Sequence, residues 1–312
     1  MIAYLARRLV QALLILLGVS IITFALLYLL PADPVRQIAG RSATPETVEN
    51  IRRELGLDQP FVVQYWRYLT NLASGDLGRS YIQRSQVSEL IVSRLPATLL
   101  LMLGAIFCEV AIGLTMGLLA AVKRGTGFDQ ALMVSSFVGV SAPQFVVGLL
   151  LLYVFAVWLG WLPMSGYGTF SHLILPSLTL GVAGAGWYSR MMRSSMIDVL
   201  HQDYIRTARA KGLARGAILF RHALPNAILP VIAMIGIDVG LFMSGIVVVE
   251  SVFGWPGIGQ LGVQAMLNHD LPLIETVVLF GAMVVVAANL IVDLLYGVLD
   301  PRLRAAPAGQ GG

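Results

Sequence analysis

Charge is scarce in this chain. Asp, Glu, Lys and Arg make up only 12% of its 312 residues, against about 25% in a soluble domain. With 57% hydrophobic residues and a mean hydropathy of +0.79, the composition excludes an ordinary water-soluble fold and points to a membrane. Lysine is nearly missing. Lys123 precedes Arg124 and Lys211 precedes Gly212, so neither sits in the Gly-Lys-Ser/Thr sequence of a phosphate-binding loop. The chain therefore cannot hydrolyse nucleotide by that route. Its single cysteine, Cys108, excludes an intrachain disulfide and reads as a small packed hydrophobe. His172, His201, His222 and His269 are scattered, and none has metal-ligand spacing. Nucleic-acid binding would want a basic stripe with aromatics on a soluble surface, which this composition denies.

Long apolar runs are what the sequence does contain. Leu9 to Leu30 is 22 residues without a charge, about 33 Å as a helix and enough to cross the hydrocarbon core. It follows Arg7 and Arg8 but exceeds the apolar stretch of a signal peptide, so it reads as a retained transmembrane helix. Further spans are predicted near 97–122, 131–159, 172–189, 227–249 and 275–299. The expectation is an all-α integral membrane protein with six transmembrane helices and both termini on one side. Pro143 should kink or break the third span.

Arg and Lys give the orientation. One face collects Arg7, Arg8, Lys123, Arg124, seven basic residues between Arg190 and Arg221, Arg302 and Arg304. On the other face, loops 160–171 and 250–274 hold neither Lys nor Arg. The basic face is expected in the cytoplasm, placing both termini there. The long loop 31–96 then lies outside. Thr44, Pro45 and Glu46 start a helix there, and "QPFVVQYWRYLTNLASG" has apolar residues at helical spacing. Two or three short helices lying on the membrane surface are expected. The domain organisation reads as 1–96, a first helix plus a helical extracytoplasmic loop; 97–305, a five-helix core; and 306–312, a disordered tail.

The segment 190–227 reads as a cytoplasmic loop, because seven basic residues in lipid would cost on the order of 20 kcal/mol. It is too long for a mere connector. Within "HQDYIRTARAKG" a helix from about 200 to 211 is expected to stop at Gly212. Ala208 and Ala210 would let another surface approach closely, and Tyr204 supplies an amphipathic anchor. Leu224-Pro225 marks the entry to the next span.

This loop resembles the "EAA" loop of membrane permease subunits of bacterial ABC importers. The motif reads E-A-A, three residues, G, nine residues, I, one residue, L-P. Arg206, Thr207 and Ala208 fall on its first three positions, Gly212 on its glycine, His222 on its isoleucine, and Leu224-Pro225 on its Leu-Pro. The departures at Arg206, Thr207 and His222 are similar to the form found in the dipeptide/oligopeptide/nickel branch. "LPADP" (Leu30 to Pro34), "GDLGRS", "RLPATLLL", "GVSAPQFVVGLLLLYVF", "LGWLPMSGY", "VVVESVFGWPGIGQL" and "NLIVDLLYGVLDPRLR" extend the resemblance over essentially residues 1–305.

The resemblance implies a type I ABC importer permease fold and a subunit without catalytic residues or a cofactor of its own. ATP and Mg would sit on two partner ATP-binding subunits. Tyr204, Arg206, Thr207, Ala208, Arg209, Ala210, Lys211, Gly212, Leu224 and Pro225 are implied to couple the chain to them. A second homologous permease, identical or different, and an extracytoplasmic substrate-binding protein would complete the assembly, in contact with membrane lipid. Dipeptides or oligopeptides lead as substrate; glutathione, nickel chelates and sugars stay open.

Other residues carry weaker signals. Ser141, Pro143 and Asp238 are candidates for the translocation pathway or its gate, although Asp238 could equally make an interhelical hydrogen bond. Glu109, and Asp293 with Asn289 four residues before it, read as structural. These acids are isolated in sequence, so no proton relay is indicated. The Gly-rich outer stretch with Glu250, Phe253, Trp255, Pro256, Gly257 and Gly259 is expected to form a scoop at the mouth, which the resemblance turns towards the binding protein. An intramembrane serine protease would need a His near Ser141 within the bilayer, and every His lies in a loop or at a span edge. A self-sufficient secondary transporter would be expected to show an internal repeat, and none is evident.

Overall fold

The computed structural model describes residues 2–29, 35, 43–54, 56–80 and 82–299, with the side chains of 2–5, 233, 237, 239–241, 243–245 and 291–299 left aside. The Leu30–Pro34 motif, the tail 306–312 and the side chain of Asp293 therefore lie outside the described residues.

Among the described residues the regular secondary structure is helical, joined by turns and loops and with one isolated bridge between Arg79 and Gln86. In order it forms α1 (Ile2–Leu29), α2 (Pro45–Glu54), α3 (Phe61–Ala73), α4 (Val87–Val122), α5 (Gly127–Ser141) and α6 (Gln144–Leu152). The last runs into a π-helical turn at Tyr153–Trp158. There follow α7 (Phe170–Leu200), α8 (Asp203–Ala210), α9 (Arg215–Ala217), a π-helical stretch Ile218–Ala223, α10 (Leu224–Ala227), α11 (Leu229–Val252), α12 (Ile258–Leu267) and α13 (Leu271–Leu299). By length and apolar composition three of the described helices can cross a bilayer, α1, α4 and α13, and up to five spans result if each of two bent pairs counts as one.

The helix α7 departs from the sequence expectation. It does not give way to a loop at Arg190 but continues to Leu200, about 46 Å in all against a hydrocarbon core of about 30 Å. Its last turns are long enough to project beyond the lipid. The charges there are handled individually. Arg193 Nε and Nη2 each donate to Asp129 at 2.7 Å, and Arg190 stacks on aromatic rings. The loop proper therefore begins near His201.

α7 packs most closely on α4. Glycines on α4 bring the backbones together: a methyl group on Gly117 would lie 2.6 Å from Met192 Cβ. This is the small-residue packing used where helices associate without a hydrophobic driving force. α5 joins α7 through a 2.6 Å hydrogen bond between Ser136 and Ser189.

Pro143 breaks rather than kinks its span: α5 and α6 meet at 104°. Proline has no N–H for the helix and crowds the carbonyl four residues back. It also drives the preceding residue out of the helical region, and Ala142 is extended at φ −74°, ψ 130°.

The segment between α1 and α4 supplies α2 and α3. Thr44 caps α2, its Oγ1 accepting from the Thr47 N–H at 3.3 Å. α3 does not lie flat as expected. Phe61 contacts Phe24 and Tyr28, Tyr65 hydrogen-bonds Ser20 at 2.9 Å, and Leu69 and Leu72 share a cavity with Leu13, Leu16 and Leu17. α3 thus runs antiparallel along α1, because its aromatic and leucine residues repeat at helical spacing and find a matching apolar stripe there.

Candidate functional site

Two ends of the molecule gather the residues that the sequence singles out. At the basic end, α8 is a short amphipathic helix with Asp203 in its first turn and Arg209 in its last, which suits the helix dipole. Ile205 is fully buried and Ala208 is 7% exposed. They pack with Tyr188, Met192, Met196, Ile218 and Ala223. Burying an isoleucine side chain stabilises by about 1.5–3 kcal/mol, so α8 is seated firmly on α7 and the π-helical stretch. Ala208 belongs to that seat and not to the outer surface. Tyr204, Arg206, Thr207, Arg209, Ala210, Lys211 and Gly212 face outward.

Gly212 ends the helix as expected. The Gly212 N–H donates to the Arg209 carbonyl at 2.9 Å and the Leu213 N–H to the Ala208 carbonyl at 3.3 Å. This pair of bonds needs a left-handed residue, and Gly212 has φ +76°.

Leu224-Pro225 is not the first turn of the next span. It lies inside a helical run that begins at Arg215. Pro225 cannot donate to the Arg221 carbonyl and would crowd it, and the helix widens to π geometry over the residues just before. Asn226, absent from the sequence candidates, holds the elbow together: its Nδ2 donates to the Tyr204 hydroxyl and the His222 carbonyl, both at 3.0 Å. No signal in the sequence announced it, because Tyr204 lies 22 residues away.

At the other end, α11 finishes at Val252 and the chain turns through Phe253–Gly257 into α12. The residues expected to form the scoop lie in and around this turn. Glu250 and Trp255 are buried. Thr98 on α4 donates to Glu250 Oε1 at 2.8 Å and accepts from the Ile258 N–H at 2.8 Å, while the Gln260 N–H donates to Glu250 Oε2 at 2.9 Å. Trp255 Nε1 donates to the Ala97 carbonyl at 2.8 Å and its ring meets Tyr167 edge-on at 4.9 Å. Gly259 must be small, since a methyl group there would lie 2.7 Å from Val247 Cα. The Glu250 carboxylate thus gathers the donors that the turn leaves unpaired. Thr98 was missed from sequence because its partners lie more than 150 residues away.

Among the pathway candidates, Ser141 and Pro143 flank the α5–α6 break and are exposed. Asp238 accepts a hydrogen bond from the Tyr188 hydroxyl, and buried Glu109 lies within electrostatic reach of it. The two acids, isolated in sequence, are therefore neighbours in the fold. No hydrogen bond joins either Ser141 or Pro143 to Asp238 among the described residues. Likewise, no group of three or more His, Cys, Asp or Glu suited to a metal occurs among the described residues.

Comparison with known proteins matches residues 113–305 to the family described as binding-protein-dependent transport system inner membrane component, and residues 1–102 to the N-terminal region of such membrane components. The glutathione transport system permease protein GsiC of Salmonella paratyphi A is 43% identical over 304 residues, covering 97% of this chain and 99% of the relative. A Brucella abortus (strain 2308) protein, provisionally named as a peptide transport system permease, is 44% identical over 312 residues, with 97% and 99% covered. A chain of the MetNI methionine ABC transporter in an inward-facing conformation superposes with a TM-score of 0.56 at 19% identity, covering 68% of this chain and 96% of that one. That likeness concerns the fold.

Proposed function

Because the chain belongs to the family of inner membrane components of binding-protein-dependent transport systems, an ABC importer permease without catalytic activity of its own, we propose that it imports peptides of the dipeptide or oligopeptide class. In this reading six transmembrane helices, α7 among them, form half of a translocation pathway in a type I importer arrangement. A second homologous permease supplies the other half. Two separate ATP-binding subunits, carrying ATP and Mg, dock on α8, and both termini lie in the cytoplasm. A substrate-binding protein delivers cargo to the scoop around Glu250, Phe253, Trp255, Pro256, Gly257 and Gly259.

One observation carries the coupling role. α8 is anchored inward by Ile205 and Ala208 yet presents Tyr204, Arg206, Thr207, Arg209, Ala210 and Lys211 outward. A helix rigidly seated on the membrane core and open to a partner can convert displacement of that partner into a bias between inward-open and outward-open states. Gly212 shapes its end, and Leu224 and Pro225 sit in the helical run behind it. Ser141, Pro143 and Asp238 remain our candidates for the pathway or gate.

The same machinery could import glutathione, given the likeness to a glutathione permease; nickel chelates and sugars are further options. The test is to purify the chain with the products of neighbouring genes and measure ATP hydrolysis with and without the binding protein, loaded in turn with a dipeptide, an oligopeptide and glutathione. Stimulation by a peptide-loaded binding protein is expected. Stimulation by glutathione alone would replace the peptide reading, and ATP-independent uptake driven by an ion gradient would overturn the permease role.

A further inference from the structure

Among the described residues Arg190 on α7 has no counter-charge. Its guanidinium carbon lies 4.3 Å from the centre of the Trp187 ring and 4.7 Å from that of Phe137 on α5. Its Nη2 is buried without a hydrogen-bond partner, and no ion pair reaches the side chain among the described residues. Arg193, three residues on, is bonded twice to Asp129. The two arginines share a helix and differ in one respect: no anionic partner for Arg190 occurs among the described residues.

Depth constrains what that partner is. This rests on the six-helix reading proposed above, in which α7 crosses the bilayer: from Phe170 to Arg190 it rises about 30 Å, the thickness of the hydrocarbon core. The Arg193–Asp129 pair ties this end of α7 to the start of α5, just after Lys123 and Arg124. Arg190 thus sits where hydrocarbon meets headgroups, on the basic face. Around it Val134, Phe137, Val138, Trp187 and Met191 are exposed. Apolar surface of this kind suits acyl chains, whereas an unpaired cation within it is costly. The two rings orient the guanidinium but leave its charge in place.

A planar guanidinium is matched to phosphate, which it can bind through two parallel N–H bonds. Basic pockets between transmembrane helices on the cytoplasmic side accommodate anionic headgroups. We propose that Arg190, held between α5 and α7 by Phe137 and Trp187, binds the phosphate of an anionic lipid of the cytoplasmic leaflet. The lipid's acyl chains lie along Val134, Val138 and Met191. The site takes a phospholipid and is separate from both the cytoplasmic elbow and the outer scoop, so it stands whichever cargo the importer carries.

The experiment uses the assembled transporter, delipidated and titrated with phosphatidylglycerol or phosphatidylcholine in detergent, with bound lipid counted by native mass spectrometry. One phosphatidylglycerol should be retained about tenfold more tightly than phosphatidylcholine, as expected for a charge-assisted bond. Arg190→Gln should abolish that preference, and Arg190→Lys should keep part of it. If Arg190→Gln does not assemble, Trp187→Leu and Phe137→Leu carry the test, each weakening retention while keeping the charge. Equal retention by all variants overturns the proposal. So does displacement of the lipid by millimolar inorganic phosphate, which would mark a free-phosphate site. Efficient cross-linking of Val138→Cys to a neighbouring permease subunit would show that protein covers this face, and would also overturn it.

Discussion

Thr98 donates its hydroxyl to Glu250 across 2.8 Å, joining α4 to the end of α11 in a place from which water is excluded. The same oxygen accepts the Ile258 N–H at 2.8 Å, so one hydroxyl satisfies both a buried carboxylate and the first amide of α12. Thr98→Val keeps the shape and strands both groups. Each unsatisfied buried group costs about 1–3 kcal/mol, so thermal melting of the purified assembly should fall by several degrees. Thr98→Ser should restore most of the loss. A melting temperature unchanged in Thr98→Val would mean that the Glu250 network does not hold the scoop.

Gly212 separates backbone strain from partner contact. Space around it is open within this chain, but its φ of +76° strains any residue with a side chain. Asn tolerates that region better than other residues. Gly212→Asn should therefore preserve α8 and most uptake. Gly212→Glu should insert into the membrane normally yet lose transport and the ATP hydrolysis stimulated by the binding protein. Equal uptake by the two variants would argue against docking at this elbow.

The long apolar helices, the Pro143 break and the glycine stop of α8 could all be read from sequence, because each rests on local chemistry: helical period, a missing N–H, a left-handed residue. The continuation of α7 past Arg190 could not, since whether a charge ends a span depends on partners brought by other helices. Asp129 lies 64 residues from Arg193, and no pattern in either segment announces the pairing. The meeting of Glu109, Tyr188 and Asp238 was hidden for the same reason. Ala208 was assigned to the outer face by its motif, whereas the spacing of Ile205 and Ala208, three residues apart, is that of a buried stripe.

Asp129 and Arg193 form the two-pronged ion pair that fixes the start of α5 to α7. The carboxylate also accepts the Gly125 N–H at 3.0 Å. Removing one partner leaves a poorly hydrated charge, and with Arg193 only partly covered the cost is about 1–3 kcal/mol, below that of a fully buried pair. Asp129→Asn and Arg193→Gln should each destabilise the assembly, and the double variant should cost less than the sum of the two. A double-mutant cycle on thermal melting measures this coupling. Strict additivity would mean that the pair contributes nothing beyond its separate residues.

Asp270 gives the outer end a pH dependence of definite sign. It precedes α13, accepts a hydrogen bond from Ser80 in the loop before α4, and is nearly inaccessible, with Oδ1 unpartnered. Burial pushes its carboxyl above the ordinary value, against the opposing pull of the Ser80 hydroxyl and the Leu273 N–H. The folded protein therefore holds this proton more tightly than the unfolded chain. Stability from Asp270 is complete below the ordinary carboxylate pKa of about 3.9. It declines as pH rises from there through the raised folded value, because over that window the unfolded chain releases the proton first. Asp270→Asn removes the titration while keeping a side chain able to cap α13. Melting temperatures of the two assemblies, compared from about pH 4 to about pH 8, should show wild type losing ground to the variant as pH rises. If the difference stays constant, or wild type gains with pH, then Asp270 is held in its charged form and the Ser80 contact is an ordinary carboxylate bond.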